Sequence, residues 1–168
     1  MAILIERAEP AQYATLGEIT AQAYLGDGLL DFGESDAYLQ ELRDVAHRAA
    51  QADVLVALAG DGQVLGGVTF VPAGGPMADI AQDGEAEIRM LAVAKEHRGR
   101  GAGGILVRAC IHRARHVEGC ERVVLSTQRS MHAAHRLYEH LGFIRTPIRD
   151  WNPIPGIDVT LLTYELTL

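Results

Sequence analysis

Cysteine is scarce in this 168-residue chain, with Cys110 and Cys120 the only two. Two thiols are too few for a disulfide framework or a cysteine-ligated zinc site, and a reduced, cytoplasmic setting is the simplest expectation. Basic charge is also in short supply: 15 Lys and Arg against 22 Asp and Glu leave a net charge of -7. That balance argues against a dedicated nucleic-acid binder, whose affinity rests on neutralising phosphates. No apolar run approaches the roughly 18 to 20 residues that span a bilayer. The first ten residues, MAILIERAEP, carry Glu6 directly after their apolar stretch, which is unlike a signal peptide. Internal repeats and low-complexity linkers are lacking. A second domain would leave two halves too small for a core each, so residues 1–168 are expected to form a single domain.

The elements read in order as β-α-α-β-β-β-α-β-α-β-β, a mixed α/β layer fold. Ala2 to Arg7 is a first strand, and Pro10 opens a helix to about Tyr24, which the glycine-rich stretch Gly26 to Gly33 ends. Ser35 or Asp36 caps a second helix with Leu39, Leu42, Val45, Ala46 and Ala49 on one face. Asp53 to Ala59 and Val64 to Val71 form a hairpin about Gly60-Asp61-Gly62. A loop, Pro72 to Gly84, leads into the fourth strand, which ends at Val93. Arg122 to Thr127 reads as a fifth strand with a continuous apolar run, Val123 to Leu125, and lies between helical patterns, so it is expected as a buried parallel neighbour of the fourth strand. A last helix from about Ser130 to Leu141 ends at Gly142, and Phe143 to Ile148 and Val159 to Thr167 close the chain as strands.

The most informative stretch is Glu85 to Gly104, EAEIRMLAVAKEHRGRGAGG: a strand, a charged connector and glycines that run into a helix. Gly99, Gly101, Gly103 and Gly104 remove side chains where a backbone must approach something closely. Arg98 and Arg100 add positive charge. Free amides and a helix dipole at that point suit a phosphate ligand. Gly99, Gly101 and Gly104 also satisfy G-x-G-x-x-G, but five residues separate Val93 from Gly99 and the next strand ends in Ser126-Thr127 without a carboxylate. A dinucleotide fold requires the opposite on both counts. A P-loop is excluded because no Gly-Lys-Ser or Gly-Lys-Thr follows.

With the strand LAV before the loop, the run Arg98-Gly99-Arg100-Gly101-Ala102-Gly103 in the form Q/R-x-x-G-x-G/A, and LYEHLGF ending the last helix, the chain resembles the GNAT superfamily of acyl-CoA-dependent N-acetyltransferases. The order of elements matches over Ile3 to Leu166. The resemblance implies a central, mostly antiparallel sheet flanked by helices, with strands 4 and 5 a parallel, splayed pair. It implies that the backbone of Arg98, Gly99, Arg100, Gly101, Ala102, Gly103 and Gly104 holds the pyrophosphate of acetyl-CoA. Leu91, Ala92 and Val93 would offer an open strand edge to the pantetheine arm, with one amide polarising the thioester carbonyl.

An amine with a pKa near 10.4 is a free nucleophile in only about one molecule in two thousand at pH 7, so a general base is useful. Glu87 corresponds to a position from which some family members supply it, directly or through water. Alternation would put it on the face of Arg89, Leu91 and Val93. Pairing with a nearby arginine is the other reading of Glu87. Tyr138 corresponds to the family's usual acid for the departing thiolate; it also fits as a core tyrosine beside Leu137 and Leu141. Many relatives carry Asn where this chain has Met131, which leaves the contact there to Ser130 or to main chain. The seven histidines lack a His-Glu-x-x-His pattern or supporting cysteines, and no metal is expected. Trp151 suits either the rim of the acceptor site or plain packing, and Tyr24 with the Gly26 to Gly33 loop lies where relatives form that site. The expected reaction is acetyl transfer from acetyl-CoA to a primary amine, on a small molecule or a protein. The other reading is a non-catalytic acyl-CoA-binding sensor or interaction module. A homodimer is a fair expectation from the resemblance.

Overall fold

Near-continuous apolar runs along the second and third strands, DVLVAL and VLGGVTFV, bury both faces of a sheet, and helices cover both. A computed structural model describes residues 2–30 and 32–168; Met1, and Asp31 within the expected Gly26 to Gly33 loop, lie outside the described residues. The elements are β1 (Leu4–Arg7), α1 (Tyr13–Gly26), α2 (Tyr38–Arg43), α3 (Val45–Gln51), β2 (Asp53–Leu58), β3 (Val64–Val71), β4 (Glu85–Val93), α4 (Ala102–Arg115), β5 (Arg122–Thr127), α5 (His132–His140), β6 (Ile144–Arg145) and β7 (Leu162–Thr167). One sheet runs β1-β2-β3-β4-β5-β7-β6. Every neighbouring pair is antiparallel except β4 and β5.

Val54, Val56 and Leu58 turn to one face, against Leu16 of α1 and Val45 of α3. Leu55 and Ala57 turn to the other, against Leu106, Val107 and Cys110 of α4. Where α1 crosses β3 there is no room for a side chain: a Cβ on Gly67 would stand 2.5 Å from Leu16 Cδ1 and 2.9 Å from the Leu55 carbonyl oxygen. The glycine lets Leu16 seat fully, a burial that stabilises by about 1.5–3 kcal/mol.

Two expected elements differ. The second helix is broken at Asp44, whose φ of -87° and ψ of 70° leave the helix and whose side chain accepts the His47 amide at 3.1 Å. An aspartate is better used capping a new helix than continuing an old one. The last two strands are shorter than expected. Pro147 starts a tight turn over Pro147–Arg149 and has no N–H for a ladder, so β6 stops after two residues.

β4 pairs with β5 only from Glu85 to Ile88, opposite Arg122 to Leu125. Beyond that point β4 follows β3 as far as Val93, while β5 follows β7 as far as Thr127. The parallel pair is thereby splayed at its C-terminal end, as expected, and among the described residues no strand covers Arg89 to Val93 on that side.

Candidate active site

The splay begins at a backbone irregularity. Gly67 faces Ala92 and Thr69 faces Arg89, so Val68 alone opposes both Met90 and Leu91. Met90 takes a φ of 55°, the one non-glycine residue with positive φ among those described. Two residues against one is a β-bulge, and it reverses the alternation that follows. Ala86 and Ile88 lie in the cluster on the α4 face, and Leu91 and Val93 pack against that same cluster. Met90 instead joins Ala21, Leu39 and Leu42 under α1 and α2, and Arg89 reaches the Tyr38 hydroxyl at 3.2 Å. The expectation that Glu87, Arg89, Leu91 and Val93 share one face is therefore corrected: Glu87 and Arg89 face away from α4, whereas Leu91 and Val93 face it.

A short turn, Lys95–His97, carries the chain from β4 to the glycine loop. Gly99 and Gly101 have φ of 83° and 85°, and a Cβ on either would meet nothing within 4 Å. The left-handed backbone needs glycine there, and the space before it is open. Intrahelical bonding starts with the Ile105 amide on the Gly101 carbonyl. The amides of Gly99 to Gly104 have no carbonyl partner recorded outside regular structure, which is the geometry of an anion site at a helix N-terminus. Gly103 and Gly104 serve a different purpose: Cβ atoms there would lie 3.7 and 3.4 Å from Leu137 of α5, and the first also 3.9 Å from Val93. The loop, the end of β4 and α5 are thereby brought together.

The two loop arginines part company. Arg98 grips both carboxylate oxygens of Asp27 at 3.2 Å and donates to the Val93 carbonyl at 3.3 Å. One carbonyl of the expected pantetheine edge is thus occupied by the chain itself. Arg100 is exposed, and among the described residues it has no ion-pair partner. Gln128 donates to the Leu29 carbonyl at 2.7 Å, a second tie holding the end of α1 across the splay.

Tyr138 sits on the α4 face, 4% exposed, between Phe143 and Tyr164 with ring centroids 5.8 and 5.9 Å away. Burial, with smaller contributions from Cys110 and Tyr164, pushes its phenol above the ordinary value. Tyr24 reaches in from the opposite face. Burial raises its phenol too, with Tyr38 and then Tyr138 adding to the rise.

Glu87 is 1% exposed, and its Oε1 accepts the amides of Asp79, Ile80 and Ala81 at 2.9–3.0 Å. No arginine pairs with it among the described residues. Burial pushes its carboxyl above the ordinary range, against the pull of those amides. Oε2 takes part in none of these bonds. The carboxylate that does pair with arginines is its neighbour on the strand, Glu85, bound by Arg149 at 2.8 Å and Arg122 at 2.9 Å. Burial opposes the Glu85 charge, but the bonds from Arg149, the Gln82 amide and Arg122 outweigh it and bring the pKa down to about 2.

Arg149 also donates to the Ile80 carbonyl at 2.9 Å, and Trp151 Nε1 donates to Ser126 Oγ at 2.9 Å. The loop after β6 is therefore tied to Ser126 near the end of β5 and to Ile80 in the loop before β4. Replacing Arg149 with Met should cost about 3 kcal/mol, because it strips a buried carboxylate of its principal partner. Urea melts check this. The depressed Glu85 pKa means that this stabilisation is complete above the ordinary carboxylate range and is lost as pH falls through about 2. The acid limb of the wild-type stability curve should accordingly be shallower in the variant.

The contacts that sequence reasoning missed are those between distant segments: Arg98 with Asp27, Gln128 with Leu29, and Glu85 with Arg149. Their partners are 71, 99 and 64 positions apart, and nothing local marks them. No group of three or more His, Cys, Asp or Glu that could hold a metal ion occurs among the described residues. Among the described residues no helix is long and apolar enough to cross a membrane.

Residues 18–143 match the model of the acetyltransferase (GNAT) family. Among curated proteins, the chain is similar to N-acetyltransferase family 8 member 3 of Rattus norvegicus, 34% identical over 85 residues, 51% of this chain and 36% of that protein. It is also similar to N-alpha-acetyltransferase MAK3 of Arabidopsis thaliana, 44% identical over 69 residues, 41% of this chain and 36% of that protein. The matches span about a third of the length of these relatives. Among solved structures, yncA of Salmonella typhimurium, solved with its cofactor acetyl-CoA, superposes with a TM-score of 0.72 at 23% identity, over 100% of this chain and 95% of that one.

Proposed function

The chain belongs to the GNAT acetyltransferase family, and on that premise we propose that it transfers an acetyl group from acetyl-CoA to a primary amine by direct attack. Acetyl-CoA supplies the activated acyl group and carries away the sulfur; the remaining work falls to the chain. Arg98 to Gly104 bind the pyrophosphate, with the amides of Gly99 to Gly104 free of loop carbonyl partners; the Arg98 amide is held by the Lys95 carbonyl. Leu91 to Val93 receive the pantetheine arm along the uncovered side of β4, and an amide beside the bulge draws charge onto the thioester oxygen. Glu87 takes the proton of the amine, with Oε2 open to a bridging water. Tyr138, protonated at neutral pH as any phenol is, gives its proton to the departing thiolate. The amine nitrogen ends in an amide bond, the C–S bond is broken, and free thiol leaves.

The observation that carries this reading is the placement of the two groups on opposite faces of the sheet, with Glu87 one residue short of the last β4–β5 pair, Ile88 with Leu125. Glu87 faces away from α4, and Tyr138 lies among the α4 cluster. A thioester lying in the gap has its attacking amine and its leaving sulfur on opposite sides. Thiol release from acetyl-CoA across a panel of amines tests it. Turnover should fall by about 100-fold or more in Tyr138→Phe, at unchanged acetyl-CoA affinity. Binding without turnover on any amine would favour the sensor reading, to which Met131 at the usual Asn position lends some support.

A further inference from the structure

The face that carries Arg89 and Met90 holds a cavity of about 550 Å³ between α2–α3 and the loop joining β3 to β4. Its floor is the bulge itself, so whatever fills it stands beside the proposed reacting strand. Its wall includes Arg48, which is 2% exposed. The Arg48 guanidinium spends only Nη1 within the fold, on the Glu41 carbonyl at 2.5 Å and the Leu42 carbonyl at 3.0 Å. Nε is buried and has no partner. Nη2 makes no hydrogen bond among the described residues. The unused edge, Nε with Nη2, is the fork that matches a carboxylate. The same edge of Arg43 holds Glu18 elsewhere in this molecule, Nε to Oε2 and Nη2 to Oε1.

The other charges around the cavity are committed or solvated. Arg89 pairs with Asp79 at 3.2 Å, and Arg43 with Glu18 at 3.1 Å. Asp44 starts α3 by accepting the His47 amide, and Glu41 is exposed to water. No carboxylate lies within ion-pair distance of Arg48 among the described residues. A buried cation without a counter-charge is costly, and an anion entering the cavity relieves that cost.

We propose that this cavity is an acceptor subsite in which the Arg48 fork binds a carboxylate, making the acceptor a small molecule that carries both an amine and a carboxylate. This deepens the acetyl-transfer reading and rests on it. A volume of 550 Å³ is within the range of small-ligand sites, and Met90, which lines the cavity, belongs to the bulge of the proposed reacting strand.

The test compares three sets of acceptors by thiol release: free amino acids, the same amino acids as carboxamides, and short peptides with amidated C-termini. The expected result is a kcat/KM at least about tenfold higher for the free acids. Arg48→Lys, which keeps the charge and loses the fork, should raise KM for the acids by about tenfold at little change in kcat, and leave the carboxamides alone. Equal rates for acids and carboxamides, or better rates for amidated peptides, overturn the subsite and leave acyl transfer standing. Absence of release with any amine together with absence of acetyl-CoA binding overturns the parent reading instead. In that event thermal stabilisation of the wild-type chain by free acids, set against carboxamides, still decides the subsite, and equal shifts overturn it.

Discussion

Replacing Gly101 with glutamate should leave the fold standing and abolish acetyl-CoA binding. The residue has a φ of 85° and open space where a Cβ would go, so in the ligand-free protein the substitution costs the left-handed strain of about 1–2 kcal/mol. Binding loses far more. The new carboxylate stands in the space before the amides of the α4 first turn, where the pyrophosphate would carry its own negative charge. At a ligand concentration of about 100 times Kd, wild-type protein gains about 2.7 kcal/mol, some 5–10 °C in melting temperature. The variant should show no shift. Gly101→Ala carries the same backbone strain without the charge and should retain part of the shift, which separates strain from repulsion. A wild-type protein that does not shift at millimolar acetyl-CoA would sink the cofactor assignment.

The second large effect is at Glu87. Its Oε1 anchors three successive amides, so the bare observation of a buried, hydrogen-bonded glutamate is explained by loop anchorage as well as by catalysis. Glutamine separates the two. Its carbonyl oxygen still accepts the amides of Asp79, Ile80 and Ala81, while its basicity is gone. Glu87→Gln should therefore lower kcat by about 100-fold or more at a stability change of about 1 kcal/mol or less. Because burial raises the Glu87 pKa, the wild-type rate should rise with pH through a value above the ordinary carboxylate range, and the variant should lose that limb. The stability sign is opposite. Between the ordinary pKa and the raised one the unfolded chain binds fewer protons than the folded one, so the Glu87 contribution is complete at low pH and is lost as pH rises through the folded value. Undiminished activity in Glu87→Gln would assign the residue to the loop alone.

The cofactor half of this site is legible because its residues are contiguous. Strand, turn, glycines and helix start follow one another between Glu85 and Gly104, and each requirement of phosphate binding is local. LYEHLGF is legible for the same reason. The bulge is not: Met90 is neither glycine nor asparagine, and its positive φ is imposed by the packing of Met90 under α1 and α2 while Leu91 turns to α4. The break at Asp44 is hidden in another way. A single capping residue interrupts the helix without disturbing the spacing of Leu39, Leu42, Val45 and Ala49. Ion pairs such as Glu85 with Arg149 are set by sheet order, which places β7 between β5 and β6, and no periodicity encodes that order.

The extra residue at Met90 makes the candidate site depend on chain length more than on side-chain identity. Another apolar residue at position 90 would still let Leu91 and Val93 turn to the α4 face. Removing one residue there would restore plain alternation, carry Leu91 and Val93 to the opposite face, and turn the segment offered to pantetheine inside out without altering its composition. Apolar substitutions at Leu91 and Val93 would then be tolerated, and a single-codon deletion at Met90 would not.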